Sequence, residues 1–376
     1  MIYLDNSATT APCPEAVQAA QDAMAHWGNP SSLHRLGVQA RELLERARGE
    51  VASALGAEKN SIFFTSGGTE ADNLAIFGSM EKLGKRGKHV ITTAYEHHAV
   101  LNPMAKLEKQ GFEVTYLKPE ENGAVSLEAF TAALRPDTVF ASVMMVNNEI
   151  GAVAPVRQMA QALHRNNPEA IFHTDAVQSF FKLPFTARTL GADLISVSAH
   201  KIHALKGAGA LYIRPGLHLP AWQLGGGQES GMRSGTEAMP AIAAFGAACA
   251  ALRKSAAADM QGMAALRDEL VRRIGEVPGA EVLGFGEAPH IVCLSMPGLR
   301  SQGLINCLQD REIYVSAGSA CAKGHRSHVL TALGCSNEQI DGAIRVSFGR
   351  ENTPFDVDAF LAALRESIDQ LRRGRR

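Results

Sequence analysis

Asp175 and Lys201 each close an apolar run, in His173-Thr174-Asp175-Ala176-Val177-Gln178 and in Ser196-Val197-Ser198-Ala199-His200-Lys201-Ile202-His203. Their spacing is about one β-α-β repeat, so neighbouring strands would deliver a carboxylate and an amine to the same sheet edge. A partly desolvated lysine has a lowered pKa and can form a Schiff base. A third segment, Thr65-Ser66-Gly67-Gly68-Thr69-Glu70-Ala71-Asp72-Asn73, reads as a strand end, a glycine turn and a helix start. Free N–H groups at such a helix start, with the Thr69 hydroxyl beside them, bind anions. The glycines let a ligand approach the backbone closely. The spacing fits neither a Walker A motif nor GxGxxG.

Singly, each segment has an ordinary explanation: a helix N-cap for Asp175, a surface lysine past a strand end, and a plain strand–helix turn. Jointly they supply the handles that pyridoxal phosphate needs: a lysine for the Schiff base, an acid facing the pyridine nitrogen and an anion site. A fourth segment, Ser316-Ala317-Gly318-Ser319-Ala320-Cys321-Ala322-Lys323-Gly324-His325, sets a cysteine between glycines. Near Lys323, His325 and His328 that thiol could be held as thiolate; burial in a core is the alternative. Cys13, Cys249, Cys293, Cys307 and Cys335 lack such a context and are expected to be structural. Glu96-His97-His98, Asn147-Asn148-Glu149 and Arg233-Ser234-Gly235-Thr236 are weaker candidates, with His97 following a strand.

The elements that must position these residues alternate. Candidate strands are Ser61–Thr65, His89–Thr93, Glu113–Leu117, Thr138–Val146, Ala170–Thr174, Ala192–Val197 and Ala208–Ile213. Continuously apolar runs such as Val139–Val146 suit strands covered on both faces. Between them lie helical patterns at Ala71–Leu83, His98–Gln110, Leu127–Leu134 (capped by Ser126) and Val156–Asn166. This alternation predicts an α/β doubly wound sheet. From Ala238 the rhythm changes. One long helical region runs to about Ile274, followed by strands at Glu281–Phe285, His290–Met296, Ile313–Ser316 and Ala343–Phe348. Helices are expected at Gln302–Asp310 and from Thr353-Pro354 to about Arg372. The expected division is a large domain over 14–253 and a smaller α+β domain from 1–13 and 254–376.

Composition narrows the class. The 376 residues are 46% hydrophobic and 20% charged, which excludes disorder and a coiled coil. Lys plus Arg is 37 against 38 Asp plus Glu, a net charge of -1 that argues against a dedicated nucleic-acid binder. Six cysteines without a CxxC signal neither a disulfide scaffold, a zinc ribbon nor a thioredoxin-type pair, and suit a reducing compartment; no metal site is expected. No signal peptide is visible, and the most apolar segment, Ala238–Leu252, is too short to span a bilayer. A cytoplasmic protein is the expectation.

With these segments assembled, the chain resembles the cysteine desulfurases (NifS/IscS-like) of the class V aminotransferase superfamily along nearly its whole length. Further matching segments are Tyr3–Thr10, Gly28–His34, Glu96–Leu101, Val146–Gly151 and Ile344–Arg350. The resemblance implies the type I fold of pyridoxal-phosphate-dependent transferases, with a mostly parallel seven-stranded sheet. It implies that Lys201 carries the cofactor, Asp175 pairs with its pyridine nitrogen, and Gln178 and Asn148 bind near its phenolic oxygen. His97 would stack on the ring and assist proton transfer, and Gly68, Thr69, Ser198 and His200 would hold the phosphate. Thr236 would reach that phosphate from the other subunit of a homodimer. Arg345 would bind the carboxylate of L-cysteine, with Asn29 assisting. Cys321 would take the sulfur as a persulfide and pass it to a protein acceptor, an iron–sulfur scaffold or a tRNA-thiolation enzyme. A selenocysteine lyase or a class V aminotransferase is the alternative. The segment after Cys321, Ala322–Arg326, is shorter than is usual in the family, and Ala204-Leu205 replaces the usual Gly-Pro.

Overall fold

The computed structural model describes residues 1–284, 286–317 and 326–373. Its strands are β1 (Ile2–Tyr3), β2 (Ile62–Thr65), β3 (His89–Thr93), β4 (Glu113–Leu117), β5 (Thr138–Ser142), β6 (Ile171–Asp175) and β7 (Leu194–Ser198). They continue with β8 (Gly209–Ile213), β9 (Glu281–Val282), β10 (Ile291–Ser295), β11 (Ile313–Tyr314), β12 (Ser316–Ala317) and β13 (Ala343–Ser347). Strands β2 to β8 form the seven-stranded sheet in the order β2-β8-β7-β6-β5-β3-β4. β8 alone runs antiparallel to its neighbours β2 and β7; β7, β6, β5, β3 and β4 pair in parallel.

Adjacent residues of this sheet enter different cores. Ala141, Phe172 and Ile195 belong to one apolar cluster; Phe140, Ile171 and Leu194 belong to another. Successive side chains of a strand point to opposite faces, so a sheet covered on both sides must be apolar throughout. The first cluster takes Val51 and Leu55 from helix α2 (Arg35–Leu55), which follows α1 (Pro14–Ala25). The second takes Leu74, Ala75 and Leu83 from α3 (Gly68–Leu83) and Val100 and Met104 from α4 (His98–Lys109).

Beyond this sheet, β12-β13-β10-β9 form an antiparallel four-stranded sheet, and β1 pairs with β11 in parallel. A third cluster joins Leu4, Leu270, Leu294, Leu308, Val346, Phe360 and Leu364, so the N-terminus packs with residues from the C-terminal third.

Several expectations need correction. The run Thr138–Val146 leaves the sheet after Ser142; Val143 to Val146 stay buried, but as a loop whose amides bond the carbonyls of His173 and Asp175. Apolarity there marks burial, not strand. The expected helix from Ala238 to Ile274 is two, Met239–Leu252 and Ala256–Arg273, bent by 80°. The expected strand Ile313–Ser316 divides at Val315 between two sheets. Among the described residues, no single helix is long and apolar enough to cross a membrane.

One buried ion pair ties α2 to the large sheet. Arg48 meets both carboxylate oxygens of Glu229 at 2.6 and 2.8 Å, and Glu229 also accepts the Phe64 amide at 2.7 Å. Both residues are under a tenth exposed. Glu229→Ala leaves the buried guanidinium only Glu45 and the Ile62 carbonyl and leaves the Phe64 amide unpaired, and is expected to lower unfolding free energy by about 3 kcal/mol in denaturant titration.

Candidate active site

Strands β3, β5, β6 and β7 run the same way, so the loops at their C-terminal ends share one edge. A cavity of about 360 Å3 opens there. β6 ends on Asp175; β7 ends on Ser198, and the single turn Ala199–Lys201 follows it. Asp175 and Ser196 are register partners, which brings the carboxylate and the amine of Lys201 to neighbouring strand ends. His97 precedes α4 as its N-cap, and Asn148 comes from the loop after β5.

Ten expected site residues line this cavity: Gly68, Thr69, His97, Asn148, Asp175, Gln178, Ser198, His200, Lys201 and Arg345. Thr236 does not; it lines a separate cleft with Thr65, Ser66, Gly207 and Arg233. Asn29 lies elsewhere too, exposed, with its side-chain oxygen accepting the Ser31 amide at 2.9 Å. Cys321 is outside the described residues. Ser7, Ala8, Asp72, Met144 and Val177 complete the wall, and the sequence reading gave none of them a role. For Asp72 a signal existed: it lies four residues after Gly68, on the same face of α3.

The electrostatics are those of a largely buried polar site. The Lys201 ammonium donates to the Ser7 and Ala8 carbonyls at 2.5 and 2.8 Å. Burial, then the Arg345 guanidinium, bring its pKa down to about 8. Asp175 is raised by burial, against the pull of the Val177 amide at 2.8 Å and the Lys201 charge. Asp72, fully buried and facing Asp175, is raised further and holds its proton. Two like charges in one low-dielectric space cannot both ionise cheaply. Asp175, with a donor and a cation beside it, keeps the negative charge.

The His97 Nδ1 accepts the Ala99 amide at 3.1 Å, which leaves its ring proton on Nε2. Burial, then Lys201 and His98, lower His97 to about 4, so the ring is neutral at pH 7. Burial likewise brings His200 to about 4, and its Nδ1 lies 3.2 Å from the Thr9 hydroxyl. Arg345, on β13, donates to Asp5 at 2.7 Å and to the Asn148 carbonyl at 2.8 Å.

Pyridoxal phosphate fits this cavity. Two of its wall residues, Ser7 and Arg345, have buried polar atoms without a hydrogen-bond partner, Oγ and Nε, and Asp72 Oδ1 meets the His173 ring at 3.5 Å. Such atoms cost free energy unless a polar ligand meets them. At Gly68, the first residue of α3, a Cβ would come within 2.8 Å of Val177 Cγ2, so only glycine leaves this end of the cavity open. An open helix N-terminus beside the Thr69 and Ser198 hydroxyls suits a phosphate.

Comparison with known proteins agrees with the geometry. The class V aminotransferase family matches residues 2–360. The cysteine desulfurase IscS of Methanosarcina thermophila is 40% identical over 376 residues, covering 99% of this chain and 93% of the relative. Among solved structures, a NifS-like protein superposes with a TM-score of 0.92 at 36% identity, over 98% of this chain and 100% of the other. SspA in complex with cysteine gives 0.83 at 31%, over 94% and 100%. The chain belongs to the class V aminotransferase family, as a pyridoxal-phosphate-dependent enzyme of its cysteine desulfurase branch.

Proposed function

We propose that the protein removes sulfur from L-cysteine, leaves L-alanine, and collects the sulfur as a persulfide on Cys321. The observation that carries this reading is the convergence of Asp175, Lys201, His97 and Arg345 on one cavity built at adjacent strand ends. That a related protein, SspA, was solved with cysteine supports the substrate.

The residues divide the work. Bound pyridoxal phosphate supplies an electron sink for the pair left at Cα when its proton departs. Asp175, ionised and buried, would pair with the ring nitrogen of the bound cofactor and favour its protonated form. Gly68, Thr69, Ser198 and His200 hold the phosphate end, and Gln178 and Asn148 the phenolic side. Lys201, with a pKa near 8, exists in part as the free amine at neutral pH and takes the Cα proton. His97, neutral with its proton on Nε2, relays protons within the cavity. Arg345, on the cavity wall, binds the substrate carboxylate. The Cys321 thiolate attacks the substrate sulfur; the carbon–sulfur bond breaks, and its electron pair remains on the carbon that becomes the alanine methyl.

Arg345→Lys keeps the charge but loses the fork that holds Asp5, the Asn148 carbonyl and a carboxylate together. It is expected to raise KM for L-cysteine roughly tenfold or more while the protein still takes up the cofactor. Steady-state kinetics on the loaded variant read this directly.

The working form in this proposal is a cytoplasmic homodimer in which Thr236 reaches the phosphate of the partner's site and Asn29 assists the substrate. The division into 14–253 and 1–13 with 254–376 is supported by the cluster that unites Leu4 with Leu270 and Phe360. The sulfur goes to a protein acceptor, an iron–sulfur scaffold or a tRNA-thiolation enzyme, without direct binding of nucleic acid. The test is incubation with L-cysteine and candidate acceptors, following alanine and the mass of the Cys321 peptide. Equal yields of alanine and transferred sulfur are expected. Alanine without a persulfide on Cys321 would overturn the assignment of the nucleophile.

A further inference from the structure

The N-terminal segment does more than complete the cavity wall. The Ser7 carbonyl accepts from Lys201 Nζ at 2.5 Å and from Gln178 Nε2 at 2.9 Å; the Ala8 carbonyl accepts from Lys201 at 2.8 Å. These carbonyls are held from both sides. Towards β13, the Ser7 amide donates to Ser347 Oγ at 2.9 Å, and Asn6 Nδ2 donates to the Ser347 carbonyl at 3.0 Å. Towards β7, the Thr10 hydroxyl donates to the His200 carbonyl at 3.0 Å and accepts the His203 amide at 2.7 Å. The Tyr3 hydroxyl closes the segment on itself through the Thr9 carbonyl at 2.9 Å. Backbone carbonyls fixed at both ends form a rigid acceptor pair.

We propose that residues 5–10 are a docking strap for the Lys201 ammonium, with Ser347 as the positioning residue that fixes the Ser7 and Ala8 carbonyls. The inference rests on Lys201 being the lysine that bears the cofactor. A lysine of this kind is alternately bonded and free, and when free it takes a proton. Lys201 is partly desolvated, so that new charge needs acceptors already in place. Asp5, Asp175, Arg345, His97 and His200 surround the amine; the carboxylates favour the charge, while Arg345 and burial oppose it. The two carbonyls add neutral acceptors that draw the ammonium away from the Asp175 side and leave that carboxylate to the ring nitrogen.

The test compares wild type with Ser347→Ala and Tyr3→Phe, both isosteric changes outside the cavity wall. The pH dependence of Lys201 acetylation is measured on the full-length, cofactor-free protein by peptide mass spectrometry. Losing the strap favours the free amine, so the labelling midpoint is expected to fall by about one pH unit in Ser347→Ala. That is roughly tenfold more labelling at a fixed pH below the midpoint, with a smaller shift of the same sign in Tyr3→Phe. Lys182, buried and itself lowered to about 8, is the internal control. A midpoint that stays put in both variants overturns the strap, as does a parallel shift at Lys182, which would mean general loosening. Borohydride trapping of the loaded wild type separates the two levels. An unmoved midpoint with the cofactor trapped on Lys201 defeats the strap alone, while trapping on another lysine defeats the underlying reading as well.

Discussion

Lys201→Ala is expected to abolish turnover, lowering it roughly a thousandfold or more, and to remove the long-wavelength absorption of the lysine-bound cofactor. The reason is local. Among the described residues, no other lysine lines the cavity. The cofactor would still be drawn into the site by Asp175 and the phosphate cradle, but without a covalent tether, and would wash out on gel filtration. The same lysine sets a pH dependence. Its pKa is lowered from the ordinary 10.5 to about 8, so the native site favours the neutral amine. At pH 8 about half is free, against roughly one part in 300 for an ordinary lysine. Cofactor uptake by the stripped protein should therefore climb about tenfold per pH unit below 8 and level off above it. A flat profile, or an unchanged absorption spectrum in Lys201→Ala, would remove Lys201 from its role.

Much of this site was legible because it hangs on strand ends. Asp175 and Lys201 follow apolar runs whose boundaries the sequence marks within a residue or two, and parallel pairing then places both at one edge. Gly68 and Thr69 were legible for the same reason. The strap was not, because its function lies in carbonyl groups that every residue owns; nothing in the side chains of Ser7 or Ala8 announces it. Asp72 stood inside the Thr65–Asn73 segment without a role of its own, and Glu96 only in a weaker candidate group. Yet Glu96 is fully buried, accepts from Thr93 and the Met144 amide, and is pushed up to about 8 by burial. Its meaning depends on long-range packing that local patterns do not contain. Helix α2 could have been found, since Leu44, Ala47, Val51 and Leu55 recur at helical spacing. The break between Leu252 and Ala256 could not, because Arg253-Lys254-Ser255 contains neither proline nor glycine.

Cys321→Ala is expected to leave cofactor loading and its spectrum intact and to cut sulfide release roughly a thousandfold or more, because the nucleophile is gone while the cavity is not. The other thiols cannot replace it. Cys249 and Cys293 are fully buried, and burial holds both far above the ordinary thiol value; Cys13 and Cys335 are raised by burial too. A buried neutral thiol is a poor nucleophile at pH 7. Cys307 sits in the helix Ser301–Gln309 with 6% of its surface exposed. The chain on either side of the Cys321 segment is anchored at the cavity. Ser316 on β12 pairs with Arg345, a wall residue. On the far side the Ser327 hydroxyl donates to the buried Glu149 at 2.5 Å, and the His328 ring meets the Glu96 carbonyl at 2.9 Å, next to His97. Glu149 is pushed up to about 7 by burial, against the pull of the Ser327 hydroxyl and of Arg345. The decisive measurement mixes loaded Cys321→Ala with L-cysteine and follows the cofactor spectrum and sulfide together. Substrate-induced spectral change without sulfide places the block at sulfur transfer, as expected. Sulfide at the wild-type rate would mean that another group accepts the sulfur, and the role of Cys321 would have to be given up.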